Sequence, residues 1–182
     1  MNRSLSAYAA ILAGALALAA PASAQVMVGG APMYSTKTIA ENAPNAPNLS
    51  TIVAAVKAAG LVDTLASKGP FTVFAPTDKA FGKLPAGTVE TLVKPENKAT
   101  LTKILTYHVV AGDYSARDLM AGAKKKGGMH LTTVEGAPLT VKISKGKLVV
   151  IDQKGGGAVI QTADVKQKNG VVHVIGSVLM PK

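Results

Sequence analysis

Phe71-Thr72-Val73-Phe74-Ala75-Pro76-Thr77-Asp78-Lys79-Ala80-Phe81 holds all three phenylalanines of a 182-residue chain in which only 4% of residues are aromatic. The stretch reads as one strand-turn-helix unit. Phe71, Val73 and Ala75 alternate with Thr72 and Phe74, the two-residue period of a β-strand. Pro76 has no backbone N–H and stops the ladder. Thr77 is a good N-cap, and Asp78 behind it favours the positive end of a helix dipole. Phe81 then falls where a short helix turns its ring back onto the sheet.

Outward from this unit, the spacing predicts helices on either side. Before it, Ser50 is expected to cap a helix carrying Ile52, Val53, Val56 and Ala59 on one face, with Gly60 as its stop. A second short helix is expected over Leu61 to Ser67. After it, Thr88 opens a helix with Val89, Leu92 and Val93 inward. Pro95 restarts a helix that continues through Leu101, Ile104, Leu105 and His108. Val109-Val110 leads to Gly112-Asp113, and Ser115-Ala116-Arg117-Asp118 has the form of a capping box. From Met129 onward β patterns dominate, over 131–134, 139–143, 148–151, 158–165 and 171–179. Short turns separate them, including Gly155-Gly156-Gly157, read as a mobile hairpin tip. Helices first and hairpin-linked strands afterwards predict an α+β domain with a mostly antiparallel sheet.

The ends set the organisation. Met1-Asn2-Arg3, an apolar run from Leu5 to Ala20 and the small-residue pattern Ala22-Ser23-Ala24 predict a cleaved signal peptide at 1–24 and an exported, periplasmic or secreted protein. No second apolar stretch follows that could form a transmembrane segment in the mature chain. Residues 25–47, rich in Gly, Pro and Asn, read as a leader or linker arm with one helical turn near Thr38 to Ala43. The domain itself is expected over 48–182. Cysteine is absent, so the fold has no disulfides and must rest on its core.

The chain is basic, with 20 Lys+Arg against 10 Asp+Glu, and of these only Arg3 lies within residues 1–24. The excess is in the second half: 12 basic and 5 acidic residues over 101–182, against 7 and 5 over 25–100. Lys124, Lys125 and Lys126 form its densest run. Arg117 is the only arginine after Arg3, and phosphate and base readers rely on the arginine fork, so no nucleic-acid role is expected. The composition suits general attraction to an anionic surface.

Catalytic spacings are missing: no Gly-x-Ser-x-Gly elbow, no phosphate-cradling loop and no Gly-x-Gly-x-x-Gly after a strand. None of the three histidines, His108, His130 and His173, has a partner at helical metal-ligand spacing. No catalytic, metal or cofactor residue is assigned. His108 and His173 are expected to be buried and hydrogen-bonded. Asn48-Leu49-Ser50 matches a glycosylation sequon and is read as coincidence.

Three segments together resemble the fasciclin-type adhesion domain, in the family's order and spacing from about residue 48 to the end. One is the phenylalanine stretch, with Phe71, Phe74, Pro76, Thr77 and Phe81. The second is Leu105-Thr106-Tyr107-His108-Val109-Val110. The third is Asn169-Gly170-Val171-Val172-His173-Val174-Ile175-Gly176-Ser177-Val178-Leu179-Met180-Pro181. The resemblance implies a single domain with a β-wedge and a helical layer, the first and last signatures on adjacent strands. It implies a secreted, non-enzymatic adhesion or matrix role, as in a small bacterial member whose leader includes Met27 to Tyr34. Animal relatives bind integrins around the pair matching Tyr107-His108; a packing role, anchoring the helix end to the sheet, is the other reading of that pair. Gly176 stands where the family often carries an acidic residue. Two functions follow from the resemblance. One is an interaction module whose lysines contact a protein, polysaccharide or lipid surface, probed first at Lys124 to Lys126. The other is a carrier of an apolar small molecule, carotenoid or lipid, with Met120 and Met129 flanking a cleft.

Overall fold

The structure, a computed structural model, describes residues 25–182, so the expected signal peptide at 1–24 lies outside the described residues. A two-stranded hairpin comes first, β1 (Met27–Val28) and β2 (Ala31–Pro32). Helices α1 (Ile39–Asn42), α2 (Ser50–Ala59) and α3 (Val62–Ala66) precede strand β3 (Phe71–Pro76). Then come α4 (Asp78–Phe81), α5 (Thr88–Leu92), α6 (Lys98–Tyr107), β4 (Val109–Ala111) and α7 (Ala116–Ala123). Five strands finish the chain: β5 (Met129–Thr132), β6 (Pro138–Ser144), β7 (Lys147–Ile151), β8 (Gly157–Gln167) and β9 (Gly170–Ile175).

The order across the sheet is β4-β3-β9-β8-β7-β6-β5. Every pairing is antiparallel except β3 with β9, which run parallel with Phe74 opposite His173. A bridge between Val110 and Thr133 joins β4 to β5 and nearly closes the sheet into a barrel. Closure of this kind leaves few open ladder groups to recruit another strand. The α+β architecture is as the sequence predicts, and the adjacency of the first and last signature strands is as the family resemblance implies.

Alternation along β3 and β9 separates two cores. Val73, Ala75, Val172 and Val174 face a layer built by the arm, α2 and α6, together with Ile52, Leu101, Leu105 and Phe81. Phe74 and Ile175 face the barrel interior with Leu139, Val141, Val150 and Leu179, and Leu119 of α7 closes that core. The three phenylalanines therefore serve both sides of one strand. Phe74 is fully buried, and burying such a side chain stabilises by about 2–3 kcal/mol.

Thr77 caps α4 as expected, its hydroxyl accepting from Ala80 N–H. Ser50, however, does not cap α2. The 3₁₀ turn Pro47–Leu49 runs straight into the helix, so Ser50 already has helical angles and Leu49 occupies the cap position without a side-chain oxygen. The cap comes from Asp78 instead: its Oδ1 accepts from Thr51 N–H at 2.8 Å and its Oδ2 accepts from the Ser50 hydroxyl at 2.7 Å. Gly60 ends α2 with a left-handed φ of 73°, as expected.

The arm over 25–47 packs onto the domain, with Val28, Met33, Ile39 and Ala46 buried in the helical-layer core. Its single predicted helical turn is α1, closed by a capping box between Thr38 and Glu41. The Gly155-Gly156-Gly157 tip is pinned by Asp152, whose Oδ1 accepts from Lys154 N–H at 3.0 Å and Gly156 N–H at 2.7 Å. The last strand stops at Ile175 rather than continuing to residue 179. The chain beyond it is held by side chains: Met180 N–H donates to Asp152 Oδ2 at 3.0 Å.

Candidate interaction surface

The end of α6 places Tyr107 and His108 in the interior. Tyr107 is fully buried; its hydroxyl donates to Pro138 O at 3.1 Å and accepts from Gln153 N–H at 3.1 Å. The helix is thereby tied to β6 and to the turn after β7. His108 is 1% exposed, with Nδ1 at 2.8 Å from Ile104 O and Nε2 accepting from Leu179 N–H at 3.0 Å. The Leu179 amide can only donate, so the ring is neutral with its proton on Nδ1. Burial pushes its pKa down to about 4, against a smaller opposing pull from the Ile104 carbonyl. No polar atom of either side chain faces solvent for a partner to use.

His173 plays a similar part at the opposite signature. Its ring stacks on Phe74, centroids 5.7 Å apart. Nε2 lies 2.8 Å from Tyr114 O, and Nδ1 accepts from Asp164 N–H at 3.3 Å. Asp164 sits at φ 56°, where β8 departs from regular pairing, and its carboxylate accepts from Ala116 N–H at 2.6 Å at the start of α7. Burial lowers the His173 pKa, only partly offset by the Tyr114 carbonyl. At Gly176, where the family often carries an acidic residue, the N–H donates to Val159 O and the carbonyl accepts from Lys83 Nζ. The side of Gly176 where a Cβ would project is filled by the Gln161 amide at 2.7 Å.

The lysines are outside. Lys124, Lys125 and Lys126 follow the C-terminal turn of α7 and are exposed. Lys142 on β6 is exposed too, and its side chain lies against Gly128, two residues after that run. Among the described residues the single ion pair is Lys103 with Glu135 at 3.9 Å. The exposed run Lys124 to Lys126 therefore has no ion-pair partner among the described residues.

A second basic grouping was not visible in the sequence because its members are far apart in the chain. The loop before β3 and the β8–β9 turn together border a cleft of about 560 Å³, lined by Ser67, Lys68, Lys166 and Lys168, with Thr38 and Asp113 at its sides. The Asn169 side chain fixes the two walls together. Its Nδ2 donates to Leu65 O at 2.7 Å and Ser67 O at 2.8 Å, and its Oδ1 accepts from Ile39 N–H at 3.0 Å. Asn42 and Gln167 continue this buried amide network, with Asn42 Nδ2 donating to Gln167 Oε1 and to Tyr34 O.

An apolar cavity of about 90 Å³ lies between the arm and the helical-layer face of the sheet, lined by Val28, Ile39, Ile52, Leu65, Val73 and Val172 among others. Neither Met120 nor Met129 borders it. Met120 is exposed, and Met129 packs against Gly122, where its thioether fills the space a Cβ would take. No described helix is long and apolar enough to cross a membrane.

Comparison with known proteins agrees with this architecture. Residues 47–181 match the family described as Fasciclin domain. Protein sll1483 of Synechocystis sp. is 47% identical over 155 residues, covering 85% of this chain and 79% of that protein. Immunogenic protein MPB70 of Mycobacterium bovis is 38% identical over 195 residues, covering 96% and 93%. Cell surface glycolipoprotein MPB83 of the same species is 40% identical over 148 residues, covering 79% and 60%. Among solved structures, a FAS1 domain pair from the insect cell adhesion molecule fasciclin I matches in fold with a TM-score of 0.70 at 24% identity. That match covers 79% of this chain, which spans about half (51%) of that structure.

Proposed function

Because this chain belongs to the fasciclin-domain family, we propose that it is an exported, non-enzymatic interaction and cell-adhesion module that contacts an anionic envelope or extracellular partner through its lysines. The observation that carries this reading is the division of labour between residues. Tyr107, His108, Phe74 and His173 are buried, whereas Lys124 to Lys126 and Lys142 are exposed and unpaired. Charged groups of one sign on a surface steer and hold an oppositely charged partner, and salt weakens them. A relative named as a cell surface protein supports a place at the envelope. The test is association with envelope fractions of the native source across a salt series, with Lys124, Lys125 and Lys126 replaced by glutamine in a parallel sample.

The second reading, a carrier of a carotenoid or lipid, has the apolar cavity in its favour. Size weighs against it. The cavity is about 90 Å³, below the roughly 150 Å³ that accommodates benzene. A carotenoid or acyl chain would have to displace the arm, whose Val28 and Ile39 form one wall. Colour or a co-purifying lipid in protein taken from its native source would favour the carrier over the interaction module.

A further inference from the structure

We propose that the cleft between the loop before β3 and the β8–β9 turn binds a carboxylate-bearing polysaccharide, with Lys68, Lys166 and Lys168 as the charge-recognising side chains. The proposal rests on the interaction-module reading and names its partner class. Three lysines from two distant segments line one recess, and all three are exposed. One acidic residue, Asp113, shares the lining, and Glu41 lies close enough to Lys37 and Lys168 for their charge to lower its pKa, after its hydrogen bonds to Thr38. The recess keeps a positive balance. Its volume of about 560 Å³ falls within the roughly 300–1,000 Å³ range of small-ligand sites, enough for a few sugar rings.

The walls are built in advance. Asn169 joins the two segments through two side-chain hydrogen bonds and the arm through a third, and Phe71 N–H donates to Asn169 O at 3.1 Å. On the arm side, Lys168 N–H donates to Lys37 O at 2.8 Å. A site held rigid loses less entropy on binding. The lining also separates partner classes. Pro70 and Ala66 are its only apolar side chains, so nothing is available for insertion into a bilayer. It has no arginine and no aromatic ring, so neither phosphate forks nor base stacking are provided. Point charges beside the Ser67 hydroxyl, which donates to Thr64 O and keeps its lone pairs, suit carboxylates flanked by sugar hydroxyls.

The experiment measures binding of the protein to polygalacturonate, with dextran and phosphatidylglycerol vesicles as comparison probes. Lys68, Lys166 and Lys168 are replaced together by glutamine in one variant, and Lys79, Lys94 and Lys98, exposed lysines outside both basic groupings, in another. We expect polygalacturonate to bind, dextran not to, and the cleft variant to lose roughly tenfold in affinity while the second variant stays within about twofold. All six lysines are exposed, so both variants should melt like the parent. Unchanged binding in the cleft variant, or binding to the vesicles without binding to polygalacturonate, overturns the proposal. If the cleft variant is unchanged while envelope association still falls with salt, the cleft assignment alone fails and the interaction-module reading stands. If envelope association ignores salt as well, both fail.

Discussion

The backbone N–H of Leu179 donates to Nε2 of His108 at 3.0 Å, and this bond ties the C-terminal tail to the end of α6 across 71 residues of sequence. The acceptor exists only while the imidazole is neutral. Protonation would set an Nε2–H against the Leu179 N–H inside the core.

A pH dependence follows. The His108 pKa is lowered from 6.5 to about 4 in the folded protein, so the unfolded chain binds the proton more readily. Its contribution is complete above pH 6.5, falls as pH drops through the window, and levels off below about 4. The loss amounts to about 3 kcal/mol at about 1.4 kcal/mol per pKa unit. His173, whose pKa is also lowered by burial, adds loss of the same sign. Urea unfolding between pH 7 and pH 4 should show the decline in the parent and a flatter profile in His108→Gln, which is less stable at pH 7.

Asp78 reaches from the start of α4 to the N-terminus of α2. Burial raises its pKa, but the hydrogen bonds from Thr51 and Ser50 outweigh this and lower it overall. Asp78→Ala should cost about 1 kcal/mol, the usual worth of a helix cap, and Ser50→Ala less. Denaturant unfolding with an unchanged slope would check both.

Asn169 sits at the junction of arm, loop and hairpin. Asn169→Leu leaves the Leu65 carbonyl and the Ile39 N–H without partners, and buried orphans cost about 1–3 kcal/mol each, whereas the carbonyl of the exposed Ser67 can turn to water. We expect the arm to loosen first. Limited proteolysis should then cut within residues 25–46 at protease levels that spare the parent, and amide exchange at Ile39 should quicken.

Tyr107→Phe removes the hydroxyl shared by Pro138 and Gln153. It should destabilise the domain by about 1–3 kcal/mol while leaving envelope association unchanged. A loss of association in a variant that still melts cooperatively would place the contact at this pair rather than among the lysines.

The phenylalanine stretch made the fold readable because strand period, proline stop and threonine cap agree with one another over eleven residues. The capping box at Ser115 and the glycine stop at Gly60 were legible for the same local reason. Ser50 misleads because its cap comes from Asp78, 28 residues away, and periodicity carries no record of such a partner. The arm is obscured by its glycines and prolines, although Val28, Met33 and Ile39 are spaced widely enough to touch the core at separate points. At the candidate site, the run Lys124 to Lys126 is obvious in sequence. The cleft is not, since Lys68 and Lys166 come to one lining only through the pairing of β3 with β9 and of β9 with β8.

The central claim is that the signature residues hold the domain together while exposed lysines make its contacts. Association of the mature protein with envelope fractions, followed from about 50 to about 500 mM salt, tests it most directly, because the screening length shrinks severalfold over that range. The account predicts a steep fall in association with rising salt and weaker association at low salt in the variant lacking Lys124 to Lys126. Association that stays level across the series, in parent and variant alike, would contradict it.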